Sequence, residues 1–191
     1  MPWGYNMIPS TAVADQILRI AVNIIKGGDH EQFLVLDLLP LAIYTTDPEG
    51  FISYFNPACI EFSGRQPVLG RDRWCVSWKL YTNQGQFLPH NECPMATAIQ
   101  TKQIVRGVTA IAERPNGSRV DFLPFPTPVV DASDELLGAV NILLVVADRL
   151  APAASDLVVR QALTRFTTKD LMDLVEEIEI ELDRKGPRVL N

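Results

Sequence analysis

Ile43-Tyr44-Thr45-Thr46-Asp47-Pro48-Glu49-Gly50-Phe51-Ile52-Ser53-Tyr54-Phe55-Asn56-Pro57 is the stretch that decides the fold. Two β-rich runs, Ile43–Thr46 and Phe51–Phe55, flank Asp47-Pro48-Glu49-Gly50. Pro48 suits the second position of a type I turn, because its ring presets φ there. Gly50 suits the left-handed position that closes a hairpin. The second run passes straight into Asn56-Pro57. Asn is a favoured N-cap, and Pro is favoured at the first helical position, where its missing N–H costs nothing. The order is therefore strand, tight turn, strand, helix start.

Working downstream, the helix from Pro57 to Phe62 stops at Ser63-Gly64. Arg71–Lys79 carries Trp74 and Trp78 around Cys75; four residues apart, the two indoles can share a helical face. They read either as core packing or as the wall of a pocket. Asn91 is placed to cap a helix over Cys93–Lys102, with Glu92 and Pro94 near its first turn, where a carboxylate meets the positive end of the dipole. A strand follows from about Val105 to Arg114, and Pro115-Asn116-Gly117 turns the chain into a second strand starting at Arg119. Pro124, Pro126 and Pro128 recur with a period of two, so their missing N–H groups all face one side. From Pro124 onward that strand should pair with one partner only, or leave the sheet plane. After a turn at Asp131-Ala132-Ser133-Asp134, Gly138–Val146 is almost wholly apolar and reads as a strand covered on both faces. Asn141 is its exception. A buried amide without partners costs on the order of 1–3 kcal/mol, so it bonds either the backbone or a ligand.

Upstream, Thr11 can cap a helix in which Val13, Ile17, Ile20, Ala21, Ile24 and Ile25 share a face, ended by Gly27-Gly28. That face lies on the domain's own sheet or on a partner subunit. Glu31 to Leu39 is a mostly apolar lead-in closed by Pro40. The tail offers a helical segment at Asp156–Phe166, a capping-box pattern at Thr167-Thr168-Lys169-Asp170, and an apolar stripe of Leu171, Leu174, Val175, Ile178 and Leu182 among glutamates. Gly186-Pro187 ends it. The stripe packs on the domain or on a partner. With no histidine it is not a kinase phospho-acceptor helix, and its acidity argues against DNA recognition.

These elements together resemble a PAS domain, a small sensory α/β module of bacterial signalling proteins such as sensor histidine kinases. Its first hairpin often reads D-x-x-G followed by N-x-A, which here is Asp47, Gly50, Asn56 and Ala58. The resemblance implies an α+β fold: a five-stranded antiparallel sheet of order B-A-I-H-G, with helices C and F on one face and helices before and after it. Residues 1–37 are then an N-terminal segment, 38–149 the domain and 150–191 a helical tail. In such domains a ligand lies between the inner sheet face, the linker after helix C, and helix F. The residues placed there are Trp74, Trp78, Met95, Asn141 and Leu143. Output-coupled PAS domains usually end in D-I-T-E-R; here Val145-Val146-Ala147-Asp148-Arg149 keeps only the last two residues of that joint.

Composition bounds the function. At 191 residues, 47% hydrophobic and 21% charged, the chain can build a core and is not disordered by default. A net charge of -6 argues against non-specific binding to nucleic acid or an anionic membrane. No apolar run approaches the roughly 18 residues of a membrane span. The first cation is Arg19, which gives no signal-peptide start, and three cysteines without ligand-pair spacing fit reduced thiols in a cytosol. The string His90-Asn91-Glu92-Cys93-Pro94 suggests a zinc deaminase, but that site needs a P-C-x-x-C downstream and no cysteine follows Cys93. Three donors crowded into four residues do not converge easily on a metal either. Haem-binding relatives use a histidine inside helix F, and His90 precedes it; light-sensing relatives carry N-C-R-F-L-Q, where this chain has Gly70-Arg71-Asp72-Arg73-Trp74-Cys75. Haem and flavin are therefore not expected. With His30 and His90 the only histidines, no nucleophile–base pair is apparent, so the chain reads as no enzyme. The expectation is a cytoplasmic sensor that binds a small organic ligand and signals by contact with a kinase or transcriptional regulator, as a homodimer through Thr11–Lys26. The alternative is a ligand-free interaction module whose core is filled by its own side chains.

Overall fold

The structure, a computed structural model, describes Leu18, Ala21, Val22, Lys26, Leu36, Asp37 and residues 39–146. The opening hairpin forms where the sequence places it, as β1 (Ala42–Thr46) and β2 (Ile52–Phe55). Gly50 N–H donates to the Asp47 carbonyl at 3.0 Å, and the Asp47 carboxylate accepts from Phe51 N–H at 2.8 Å. Gly50 has φ +88°, and a Cβ there would lie 2.2 Å from the Trp74 ring, so both the turn and a tertiary contact demand glycine.

Helix α1 (Pro57–Ser63) follows, with Pro57 in its first turn and Gly64 in the left-handed conformation at its end. The remaining elements are β3 (Lys79–Thr82), β4 (Phe87–Leu88), α2 (Pro94–Thr101), β5 (Ala110–Glu113), β6 (Arg119–Pro124), β7 (Thr127–Val130) and β8 (Leu136–Val145). The sheet is antiparallel and runs β2-β1-β8-β6-β5-β3-β4, with β7 also on β8. The expected B-A-I-H-G is its β2-β1-β8-β6-β5 portion. Five strands become eight for two physical reasons. The run after Trp78 folds as a hairpin, closed by Gly85 N–H to the Thr82 carbonyl, and adds β3 and β4 beside β5. The expected strand H is broken by its prolines into β6 and β7, and β7 pairs with β8 alone. The strand read as Val105–Arg114 is shorter, Ala110–Glu113.

Side-chain alternation splits the core in two. On one face Leu18 and Ala21, both helical, pack with Leu36, Leu39, Ile43, Val140, Ile142 and Leu144. That is the reading in which the N-terminal helix covers its own sheet. Val13, Ile17, Ile20, Ile24, Ile25 and the tail segments lie outside the described residues. On the other face Tyr44, Leu80, Phe122, Ala139 and Leu143 meet α1 and α2 through Cys59, Phe62, Met95 and Ile99. Burying each of the larger side chains contributes about 1.5–3 kcal/mol. Among the described residues no helix is long and apolar enough to cross a membrane.

Two expected caps are replaced. Asn56 makes no side-chain cap to α1. It is fully buried; its Oδ1 accepts from Ile43 N–H at 3.0 Å, and its Nδ2 donates to the carbonyls of Leu36 and Leu41 at 2.9 and 2.7 Å. The amide thus clamps the lead-in onto β1, where unpaired backbone groups would otherwise be buried. Asn91 does not cap α2 either. Pro94 occupies the first helical position, which makes Cys93 the N-cap, and His90–Glu92 forms a separate 3₁₀ turn.

Candidate functional site

The register of β1 and β8 sets Tyr44 opposite Asn141 on the inner face. Asn141 is buried, and both ends of its amide are engaged. Oδ1 accepts from Phe125 N–H at 2.9 Å, and Nδ2 donates to the Tyr44 hydroxyl at 2.9 Å. The Tyr44 O–H in turn donates to the Trp74 carbonyl at 3.0 Å. This buried relay joins the segment after β6, strand β8, strand β1 and the linker. Burial first, and then Cys75 and Cys93, push the Tyr44 phenol well above its ordinary range, so it stays protonated and donates. The amide expected to touch a ligand is satisfied by the protein itself.

Met95, Phe122 and Leu143 are fully buried in the cluster that holds Tyr44. Cys59, Cys75 and Cys93 are free thiols in the same cluster. Burial pushes all three up, Cys93 to about 12. They are packing groups in the thiol form rather than nucleophiles. Among the described residues no group of three or more His, Cys, Asp or Glu could hold a metal ion.

The linker is not the helix that would put Trp74 and Trp78 on one face. Its backbone bonds are spent on β2 and the hairpin: Ile52 N–H to the Asp72 carbonyl at 2.8 Å, Gly70 N–H to the Ile52 carbonyl at 2.9 Å, and Trp74 N–H to the Gly50 carbonyl at 2.7 Å. Trp74 adopts φ +71°, rare for a bulky side chain, and is held there by these bonds and by its ring against Gly50. Trp78 is 51% exposed on the far side. Of the five residues placed at a site, Met95, Asn141 and Leu143 come together, Trp74 adjoins them, and Trp78 is separate.

Trp78 instead lines an outer cleft of about 150 Å³ with Arg65, Asp72, Arg73, Ser77 and His90. Arg65 is paired with Asp72 and also donates to the Val76 carbonyl at 3.1 Å. The Arg73 guanidinium lies over the Trp74 and Phe51 rings, 4.5 and 5.0 Å from their centroids, and its Nε donates to the Glu49 carbonyl at 2.6 Å. Burial, then the charge of Arg65, lowers the His90 imidazole below its ordinary value. Its Nε2 is buried without a hydrogen-bond partner among the described residues. Sequence reading singled out His90 only as a failed metal ligand. Arg65 and Arg73 passed unnoticed, because nothing in their local sequence marks two guanidiniums for one cleft.

The PAS domain family profile matches residues 40–147, more than half of the chain. The chain belongs to the PAS domain family. Among solved structures it is similar to a light-oxygen-voltage domain studied with a flavin analogue, at 17% identity and TM-score 0.49 over 65% of this chain and 91% of that one. It is similar to the Rhodobacter sphaeroides LOV protein at 19% identity and TM-score 0.46, over 85% of this chain and 99% of that one. For the LOV domain of the Erythrobacter litoralis EL346 blue-light activated histidine kinase the values are 18% and 0.43, over 58% and 99%. No curated protein sequence matches the chain.

Proposed function

We propose that this PAS domain is a cytoplasmic signalling module that acts by protein contact, with an interior closed by its own side chains. One observation carries the reading: Tyr44, Met95, Phe122 and Leu143 occupy the space between the inner sheet face and the helices. An organic ligand there has to displace one of them, and emptying a core position of that size costs about 2–5 kcal/mol. The same packing argues against haem or flavin as resident cofactor. The protein does no chemistry of its own and passes its state to a kinase or a transcriptional regulator. Self-association through Thr11–Lys26 has to be made without Leu18 and Ala21, which the sheet already buries.

Sedimentation of the full chain at about 20 μM, well above the roughly 1 μM dissociation constant of an ordinary dimer, tests the contact half of this reading. The expected species is a dimer, and a monomer overturns the self-association. An absorption spectrum of the same sample tests the other half. A Soret or flavin band retained through purification overturns the closed interior.

A further inference from the structure

The outer cleft has charged groups to spare. Its charged lining is two guanidiniums against one carboxylate, so one positive charge is left uncompensated. Arg65 is committed to Asp72, which also accepts from Val68 N–H at 3.0 Å. Arg73 is not committed: only its Nε is bonded, and neither Nη has a hydrogen bond to the described residues. Stacking on Trp74 and Phe51 holds its planar fork in place before anything binds, and a preordered fork loses little freedom on pairing with a carboxylate. Trp78 presents an indole and His90 an imidazole in the same cleft. The cleft, about 150 Å³, is smaller than the roughly 300–1,000 Å³ of a drug-sized ligand pocket and suits a compact organic acid.

We infer that this cleft binds a small aliphatic carboxylate, the carboxylate paired with the free edge of Arg73 and the short carbon chain against Trp78. The site is outside the filled interior and does not depend on it. Its position is still consequential for the fold. Arg73 and Cys75 flank Trp74, whose carbonyl holds the Tyr44 hydroxyl.

Propionate, with five non-hydrogen atoms, is the probe, titrated into the ¹⁵N-labelled full chain at constant ionic strength. A ligand of that size binds with a dissociation constant of about 1–10 mM. The expected result is saturable movement of the Trp78 indole N–H and the Arg73 Nε–H resonances. Arg73→Gln is expected to raise the dissociation constant about tenfold or more by removing the fork. Arg73→Lys, which keeps a cation near the rings and guards against loss of fold, is expected to weaken binding several-fold. Three results each overturn the inference: equal binding of neutral propionamide, an affinity unchanged in both Arg73 variants, or tighter binding of inorganic phosphate at the same resonances. Absence of saturable shifts up to about ten times the upper expected constant overturns it as well.

Discussion

The interior behind the sheet and the cleft outside the linker share one wall, the segment around Trp74, and they are built on opposite plans. Inside, Tyr44, Met95, Phe122 and Leu143 are buried and the amide and phenol answer one another, Asn141 to Tyr44 and Tyr44 to the Trp74 carbonyl, with Thr46 Oγ1 left without a partner among the described residues. Outside, Trp78 is half exposed, the Arg73 fork is open, and His90 Nε2 lacks a partner among the described residues. A satisfied polar group resists change, because removing its partner strands it; an unsatisfied one is where a ligand gains most. On the function proposed above, the interior specifies the fold and recognition is left to the surface.

The sharpest contrast should appear in thiol chemistry. With Cys93 pushed to about 12, its thiolate fraction at neutral pH is smaller than that of a free cysteine by about a thousandfold or more, before any steric protection. In the native protein Cys59 and Cys93 should resist a disulfide reagent until the chain is unfolded. Cys75, which also borders the cleft, should react first of the three. Rapid modification of all three under native conditions would mean that the interior is open.

Stability should separate the two regions next. Phe122→Ala, which leaves a void against Phe62 at an edge-on ring contact, is expected to cost about 3–5 kcal/mol in urea unfolding. Asn141→Ala takes the donor from the buried Tyr44 oxygen and leaves the Phe125 N–H with the Ile142 carbonyl alone, and is expected to cost about 1–3 kcal/mol, whatever small molecules are present. A loss seen only in the presence of an added ligand would place Asn141 in a binding site instead.

The effect of pH on the cleft is smaller and has a definite sign. His90 is held below its ordinary value of about 6.5 in the fold, so as pH falls the unfolded chain takes up the proton first. The stability from keeping His90 neutral is whole above about pH 6.5 and is lost as pH falls toward the lowered folded value. Wild-type protein should therefore lose more stability than His90→Gln between about pH 7.5 and 5.5. Equal losses would remove His90 from the buried wall of the cleft. Smallest of all, Trp78→Ala should change stability by no more than about 0.5 kcal/mol, because the side chain is half in water already. A cost like that of Phe122→Ala would mean that Trp78 belongs to the core.

What could be read in the chain followed how local the physics was. The hairpin at Asp47–Gly50, the start of α1 at Pro57 and the proline-broken strand were legible because turn, cap and ladder rules act within a few residues. The β3–β4 hairpin carried a signal too, in Thr82-Asn83-Gln84-Gly85 between Leu80 and Phe87. No element was read between Leu80 and His90, and the signal went unused. Asn56 was misjudged because its sequence context is that of a cap, whereas its partners Leu36 and Leu41 lie 20 and 15 positions away. Asn141 was marked as a polar exception, but its answer is Tyr44, 97 positions upstream, and no local pattern contains that. Trp74 and Trp78 failed for a related reason. Helical spacing makes neighbours only when the backbone is free to coil, and here it is bonded to β2.

The central claim, an interior filled by the protein itself, is tested most directly by native mass spectrometry of the full chain, purified without added ligand and ionised gently. The account predicts the mass of the polypeptide alone, or of two copies, with no stoichiometric organic adduct. A co-purifying organic molecule bound one per chain, released by Phe122→Ala or Leu143→Ala but retained by Arg73→Gln, would contradict it.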